Sequence, residues 1–220
     1  TLTGAADNNM FGGSVACGDV NGDGYDDLLI GSPGFDSNKG RAYLVAGAAT
    51  FANHDFSVDP ATAVYTGATA GDRIGVPSCI PGDVNGDGFD DMFVTYPGTA
   101  IDGITNRGRG YLFLGASSPA SVDLGSGSSD AMYTGAVPSA GEPYLLGYCK
   151  PIGDVNADSI DDLFMGAPLA PVGGTSRGQA FVIFGSTDGL SSIDFTSESA
   201  DVTISGAEDQ DMLLVSPAAL

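Results

Sequence analysis

Basic residues are scarce in this chain. Only 7 lysines and arginines stand against 28 aspartates and glutamates, giving a formal net charge of −21. Nucleic acids and anionic membrane surfaces both require a basic face, so both are disfavoured as partners. No apolar run approaches the roughly 18 residues that a membrane-spanning helix needs. No Gly-x-Ser-x-Gly elbow, phosphate-binding loop or Cys/His metal cluster occurs, so the common hydrolase and nucleotide signatures are missing. Histidine appears once, as His54 beside Asp55, and reads as a surface loop residue. No signal peptide stands at the start, so the chain reads as a mature or excised form if it is secreted. Cysteine occurs three times, as Cys17, Cys79 and Cys149, each a few residues before an Asp-rich stretch. Either two of them bridge and leave one free, or all three are small buried residues on inner strands.

What is present is glycine, 34 residues of 220, and a hydrophobic content of 42%. That is too apolar for a disordered chain. Short apolar runs between Gly/Pro-rich turns point to an all-β protein. The runs recur. Gly18–Asp27 reads GDVNGDGYDD, Gly82–Asp91 reads GDVNGDGFDD, and Gly153–Asp162 reads GDVNADSIDD. Thr1–Ala5 likewise matches Val64–Ala68, Met132–Ala136 and Thr203–Ala207. Three units with a period of about 64–71 residues follow, a size that suits one propeller blade each. Within a unit the expected strands are a first, innermost one carrying Phe11-Gly12, Ile74-Gly75 or Leu146-Gly147 ahead of the Asp-rich loop, then Leu28–Ile30, Met92–Val94 or Leu163–Met165. Ala42–Val45, Tyr111–Leu114 or Ala180–Phe184 come next, and the Tyr-Thr-Gly strand lies outermost.

Each Asp-rich loop places oxygen-bearing side chains at alternate positions. The candidate ligands are Asp19, Asn21, Asp23, the Tyr25 carbonyl and Asp27 in the first loop. Asp83, Asn85, Asp87, the Phe89 carbonyl and Asp91 form the second set, and Asp154, Asn156, Asp158, the Ile160 carbonyl and Asp162 the third. A loop curling around one point turns positions one, three and five inward, adds a backbone carbonyl at seven and closes with a carboxylate at nine. A hard cation with many oxygen ligands fits, and Ca²⁺ suits it better than Mg²⁺, which demands a stricter octahedron. Zinc would want His or Cys. An EF-hand would carry a bidentate Glu at position twelve and a helix behind it; Ile30, Val94 and Met165 stand there instead, within strand-like runs. Gly24 and Gly88 occupy the sixth position, where a sharp turn favours positive φ. The third loop has Ser159 there and Ala157 in place of a second glycine. A left-handed Ser159 costs on the order of 1 kcal/mol, so the third site is expected to bind more weakly.

The repeats resemble FG-GAP repeats, the units of the integrin α-subunit β-propeller and of many secreted microbial proteins. Phe11-Gly12, Ile74-Gly75 and Leu146-Gly147 match the first half of that name. Gly31-Ser32-Pro33, Thr95-Tyr96-Pro97 and Gly166-Ala167-Pro168 match the second. The resemblance implies a single repeat domain over residues 1–220, with three four-stranded blades near 9–67, 73–135 and 144–206 and partial strands at 1–5 and 207–220. It also implies about three structural Ca²⁺ and an extracellular or cell-surface place, where calcium is abundant.

The expected role is non-catalytic: adhesion, recognition or assembly, with a protein or glycan ligand on the variable loops. The other readings are a glycan-binding module, a subunit of a surface filament or layer, and a non-catalytic part of a larger secreted hydrolase or lyase. The end strands Thr1–Gly4 and Leu213–Ser216 are expected to lack partners and so to be free to pair between chains. Neither Arg-Gly-Asp nor the Asp-x-Ser-x-Ser site of inserted adhesion domains occurs. Integrin ligand specificity is therefore not carried over.

Overall fold

The computed structural model describes residues 1–98, 100–137, 144–173, 175–208 and 211. Each repeat folds into an antiparallel sheet. Inner strands Val15–Gly18, Ser78–Gly82 and Tyr148–Pro151 enter the Asp-rich loops. Second strands Asp27–Ser32, Asp91–Tyr96 and Leu163–Ala167 leave them. Third strands Arg41–Val45, Arg109–Phe113 and Gln179–Ile183 and outer strands Ala63–Thr66, Ala131–Thr134 and Val202–Ser205 complete each unit. Strand order is inner, second, third, outer in all three sheets. These are β-propeller blades, and the three do not close into a ring.

The Phe-Gly pairs do not open the inner strands, as the sequence suggested. They are turns just ahead of them. Gly12, Gly75 and Gly147 have φ of +85°, +100° and +137°, which only glycine adopts without strain. Their amides donate to the carbonyls of Gly31, Thr95 and Gly166 at 2.9, 3.1 and 3.0 Å. The preceding side chain becomes an inter-blade plug. Ile74 and Leu146 are fully buried against the blade before their own, and Phe11 packs on Tyr43 and Phe56.

A second departure is a borrowed strand. The long excursions after the third strands each contribute two residues that pair in parallel with the outer strand of the preceding unit. Val122–Asp123 joins Tyr65–Thr66, and Ile193–Asp194 joins Tyr133–Thr134. His54–Asp55 joins Leu2–Thr3 in the same way. Thr1–Gly4 is therefore not a bare edge. Leu213–Ser216 lies outside the described residues, as does the rest of the tail from Met212. Thr99 and Gly174, in the variable loops 99–107 and 169–176, lie outside them too.

The core lies between the sheets. Leu29, Leu44 and Tyr65 of the first blade face Met92, Val94 and Phe113 of the second. Phe93, Leu112 and Tyr133 of the second face Leu163, Met165 and Phe181 of the third. Second strands are covered on both faces, which is why they read as unbroken apolar runs rather than as alternation. Tyr43 and Phe181 are buried core aromatics and Tyr111 packs beside Met92 and Val94, as their shared register implies. In the stretch 125–129 the amides of Gly125 and Gly127 bond to Asp123 at 2.9 and 2.7 Å.

Candidate metal centre

All three loops join an inner strand to a second strand, and the first rung of the ladder closes them. Gly18 pairs with Asp27 and Gly82 with Asp91, while the Asp162 amide donates to the Gly153 carbonyl at 3.2 Å. Inside this frame the loops repeat one hydrogen-bond scheme. The first carboxylate accepts from the amides of positions five and six: Asp23 and Gly24 to Asp19 at 3.0 and 2.9 Å, Asp87 and Gly88 to Asp83 at 3.0 and 2.8 Å, Asp158 and Ser159 to Asp154 at 3.2 and 2.8 Å. The carbonyl oxygens of Asn21, Asn85 and Asn156 accept from position five at 2.9–3.0 Å, and Asp23, Asp87 and Asp158 accept from position seven at 2.9–3.0 Å. Gly24, Gly88 and Ser159 all have positive φ, at +86°, +94° and +75°. The fourth position is left-handed as well, at Gly22, Gly86 and Ala157, which the sequence reading did not foresee.

The ninth carboxylates differ from the rest. Asp27, Asp91 and Asp162 are completely buried. One oxygen of each accepts from the glycine after the third strand: Gly47, Gly115 and Gly185, at 2.8, 2.8 and 3.0 Å. The other accepts from an amide early in the loop: Asn21, Val84 and Val155, at 3.1, 2.9 and 2.7 Å. Burial pushes the Asp91 carboxyl up to about 7, against the pull of its Gly115 and Val84 amides. Burial likewise raises Asp27. The exposed Asp154 is instead held down, chiefly by the Ser159 amide.

Among the described residues the three ion pairs are Lys39–Asp36, Arg107–Asp102 and Arg107–Asp194, and none of them reaches a loop. Nor does any group of three or more His, Cys, Asp or Glu among those residues stand gathered as a finished metal cluster. The carboxylates are turned onto their own backbone amides. Each carboxylate has about four lone-pair sites, so these bonds leave capacity for a metal. The donor set is all oxygen, negative and without a cation, with one member buried. Chemically it fits a hard divalent ion.

Two features of the loops escaped the sequence reading. The first aspartate of the second and third Asp-Asp pairs ties its loop to the loop before. The Asp19 amide donates to Asp90 at 2.8 Å and the Asp83 amide to Asp161 at 3.2 Å. In return the Asp90 and Asp161 amides donate to the Asp19 and Asp83 carbonyls, both at 3.1 Å. The seventh side chain also reaches back. The Phe89 ring lies where a Cβ on Gly22 would stand, and Ile160 sits over Gly86. The invariant Asp-Asp was the available signal.

Elsewhere, His54 bonds the Pro60 carbonyl at 3.2 Å and lies against Phe56. Arg107, buried, crosses from the second blade to Asp194 of the third. Its role is thus an inter-blade one. The described cysteines carry no disulfide.

Residues 11–45, 81–113 and 152–183 match the FG-GAP repeat. Each span holds an Asp-rich loop with its second and third strands. The chain is an FG-GAP repeat protein. Over 206 residues, 90% of its length, it is 30% identical to phosphatidylinositol-glycan-specific phospholipase D of Bos taurus. It is 30% identical over 162 residues, 72% of its length, to integrin alpha-5 of Xenopus laevis. It is 33% identical over 123 residues, 52% of its length, to integrin alpha-PS2 of Drosophila melanogaster. The chain spans 23%, 15% and 8% of these relatives.

Proposed function

We propose that these FG-GAP repeats form a calcium-bound, non-catalytic propeller segment that serves extracellular recognition or adhesion. Ca²⁺ is held by the ligand sets of Asp19–Asp27, Asp83–Asp91 and Asp154–Asp162. The supporting observation is the buried ninth carboxylate, repeated three times and reached by none of the ion pairs among the described residues. A divalent ion at this point neutralises repulsion among neighbouring aspartates and lets the loop hold its shape, so calcium acts here as a staple. Modest sites of this kind fill at the calcium levels found outside cells. The likeness to integrin α propellers supports a protein ligand on the variable loops at the other end of the blades.

The test is a thermal melt with isothermal titration, in millimolar Ca²⁺ and in excess chelator. Calcium is expected to raise Tm by about 5 °C or more, with about three sites per chain and one weaker than the others. An unchanged melt with no heat of binding would remove calcium from the reading.

A second reading, that the segment is the propeller part of a larger hydrolase, is favoured by the longer match to the phospholipase D than to the integrins. Both readings keep the calcium loops. They part on whether the full-length protein cleaves a phosphatidylinositol-glycan anchor. The last outer strand also bears on assembly. Ile204 is 48% exposed, whereas its counterparts Tyr65 and Tyr133 are covered by the borrowed strand and the next blade. A further blade, in this protein or in a second copy, would cover it.

A further inference from the structure

The three cysteines lie on the inner strands of three successive blades, but they do not share one face. Cys79 stands opposite Phe93, and Cys149 opposite Met165. Phe93 and Met165 meet in the core between the second and third blades, and both cysteines belong to that core. Cys17 stands opposite Leu28, whose neighbours Ile30, Tyr43 and Val45 form the cluster on the far side of the first blade. Strand alternation thus turns Cys79 and Cys149 toward each other across one interface and turns Cys17 away. Cys79 is 4% exposed, Cys149 is half-buried and Cys17 is exposed. A cleft of about 320 Å³ along the inner strands opens to solvent and is lined by all three cysteines, Cys17 from the first blade and Cys79 and Cys149 from the second and third, but only the last two also belong to the shared core.

We propose that Cys79 and Cys149 are a disulfide-forming pair that covalently joins the second blade to the third, while Cys17 stays a free thiol. The two thiols are near enough to interact directly; burial, and after it Cys79 itself, push the Cys149 thiol well up against a smaller pull from Lys150, so its thiolate forms only under alkaline conditions. The oxidant is a small-molecule disulfide. The Cys149 thiolate attacks one sulfur of glutathione disulfide and expels one glutathione thiolate. Cys79 then attacks the Cys149 sulfur of the mixed disulfide and expels the second. Two electrons pass from the protein pair to the reagent, and the two thiol protons end on two glutathione molecules. The bond closes a long loop, and a surrounding oxidising compartment preserves it. The inference does not depend on the calcium loops.

The experiment incubates the folded, calcium-loaded chain with glutathione disulfide at mildly alkaline pH. The remaining thiols are then alkylated and the peptides mapped by mass spectrometry without reduction. The expected result is one cross-linked pair, Cys79–Cys149, lighter by two hydrogens, with Cys17 alkylated or glutathionylated. Tm should rise by roughly 10 °C over the reduced chain. Cys17→Ser should keep the cross-link, whereas Cys79→Ser and Cys149→Ser should give only mixed disulfides. A bond that includes Cys17 would overturn the assignment. So would Cys79 and Cys149 that both stay alkylatable in the unmutated chain after Cys17 has reacted fully. The map on the unmutated chain decides the matter even if a variant folds poorly.

Discussion

The second and third Asp-rich loops hold the same hydrogen bonds with different residues. In the second, Gly86 and Gly88 supply φ of +72° and +94°; in the third, Ala157 and Ser159 are held at +64° and +75°. A residue with a Cβ pays on the order of 1–2 kcal/mol for that conformation. The third loop nevertheless closes with the same distances, because its ends are overdetermined. Asp162 is anchored to Val155 and Gly185, and Asp161 is bonded to the second loop. Local strain here is offset by contacts made elsewhere. The shape of the loop is set by its frame more than by its own residues.

The largest expected effect removes that frame. Asp91→Ala and Asp162→Ala each leave two amides without an acceptor, both buried at Asp91 and one buried and one partly buried at Asp162, which costs about 2–4 kcal/mol. Tm in calcium should fall by about 6–12 °C in both variants. Matched losses in calorimetry mean that the third loop is anchored as firmly as the second. A loss in Asp162→Ala less than about half that in Asp91→Ala would break the equivalence and leave the third loop held by its flanks alone.

A smaller effect separates joined loops from an unjoined one. Asp161 receives the Asp83 amide, whereas Asp26, at the same register of the first loop, is exposed and has no earlier described loop to meet. Asp161→Ala should lower the urea stability by about 1–2 kcal/mol, and Asp26→Ala should stay within about 0.5 kcal/mol. Equal costs for the two variants would show that the aspartate acts within its own loop and not as a link between blades.

Much of this was legible in the sequence. The loop residues, the blade period, the apolar second strands and the left-handed Ser159 all follow from local spacing. The links between blades do not. Asp90 and Asp161 meet partners in the preceding repeat, and no periodicity within a repeat announces such a contact. The borrowed strands, such as Val122–Asp123, are only two residues long and exist through the neighbour they pair with. The Phe-Gly pair read as part of the innermost strand that leads into the Asp-rich loop. Its glycine, at positive φ, makes a turn instead, and the side chain before it plugs the neighbouring blade. The candidate ligands were nameable from the spacing; that the ninth residue is buried and the first is capped by amides required the fold.

The smallest effect tests whether strain reaches the metal. Ser159→Gly relieves a left-handed non-glycine residue but also frees the unfolded chain, so its net gain is about 0.5–1 kcal/mol. If the relieved energy is felt at the ligands, the weakest of the calcium constants should tighten by about two- to fivefold. Gly88→Ser should weaken the second site by a similar factor. Titration of both variants against the unmutated chain reads this directly. Tighter binding in the first and weaker binding in the second tie the sixth residue to affinity. A change in melting temperature with unchanged calcium constants would show that the frame, anchored through Asp162 and Asp161, absorbs the strain before it reaches the carboxylates.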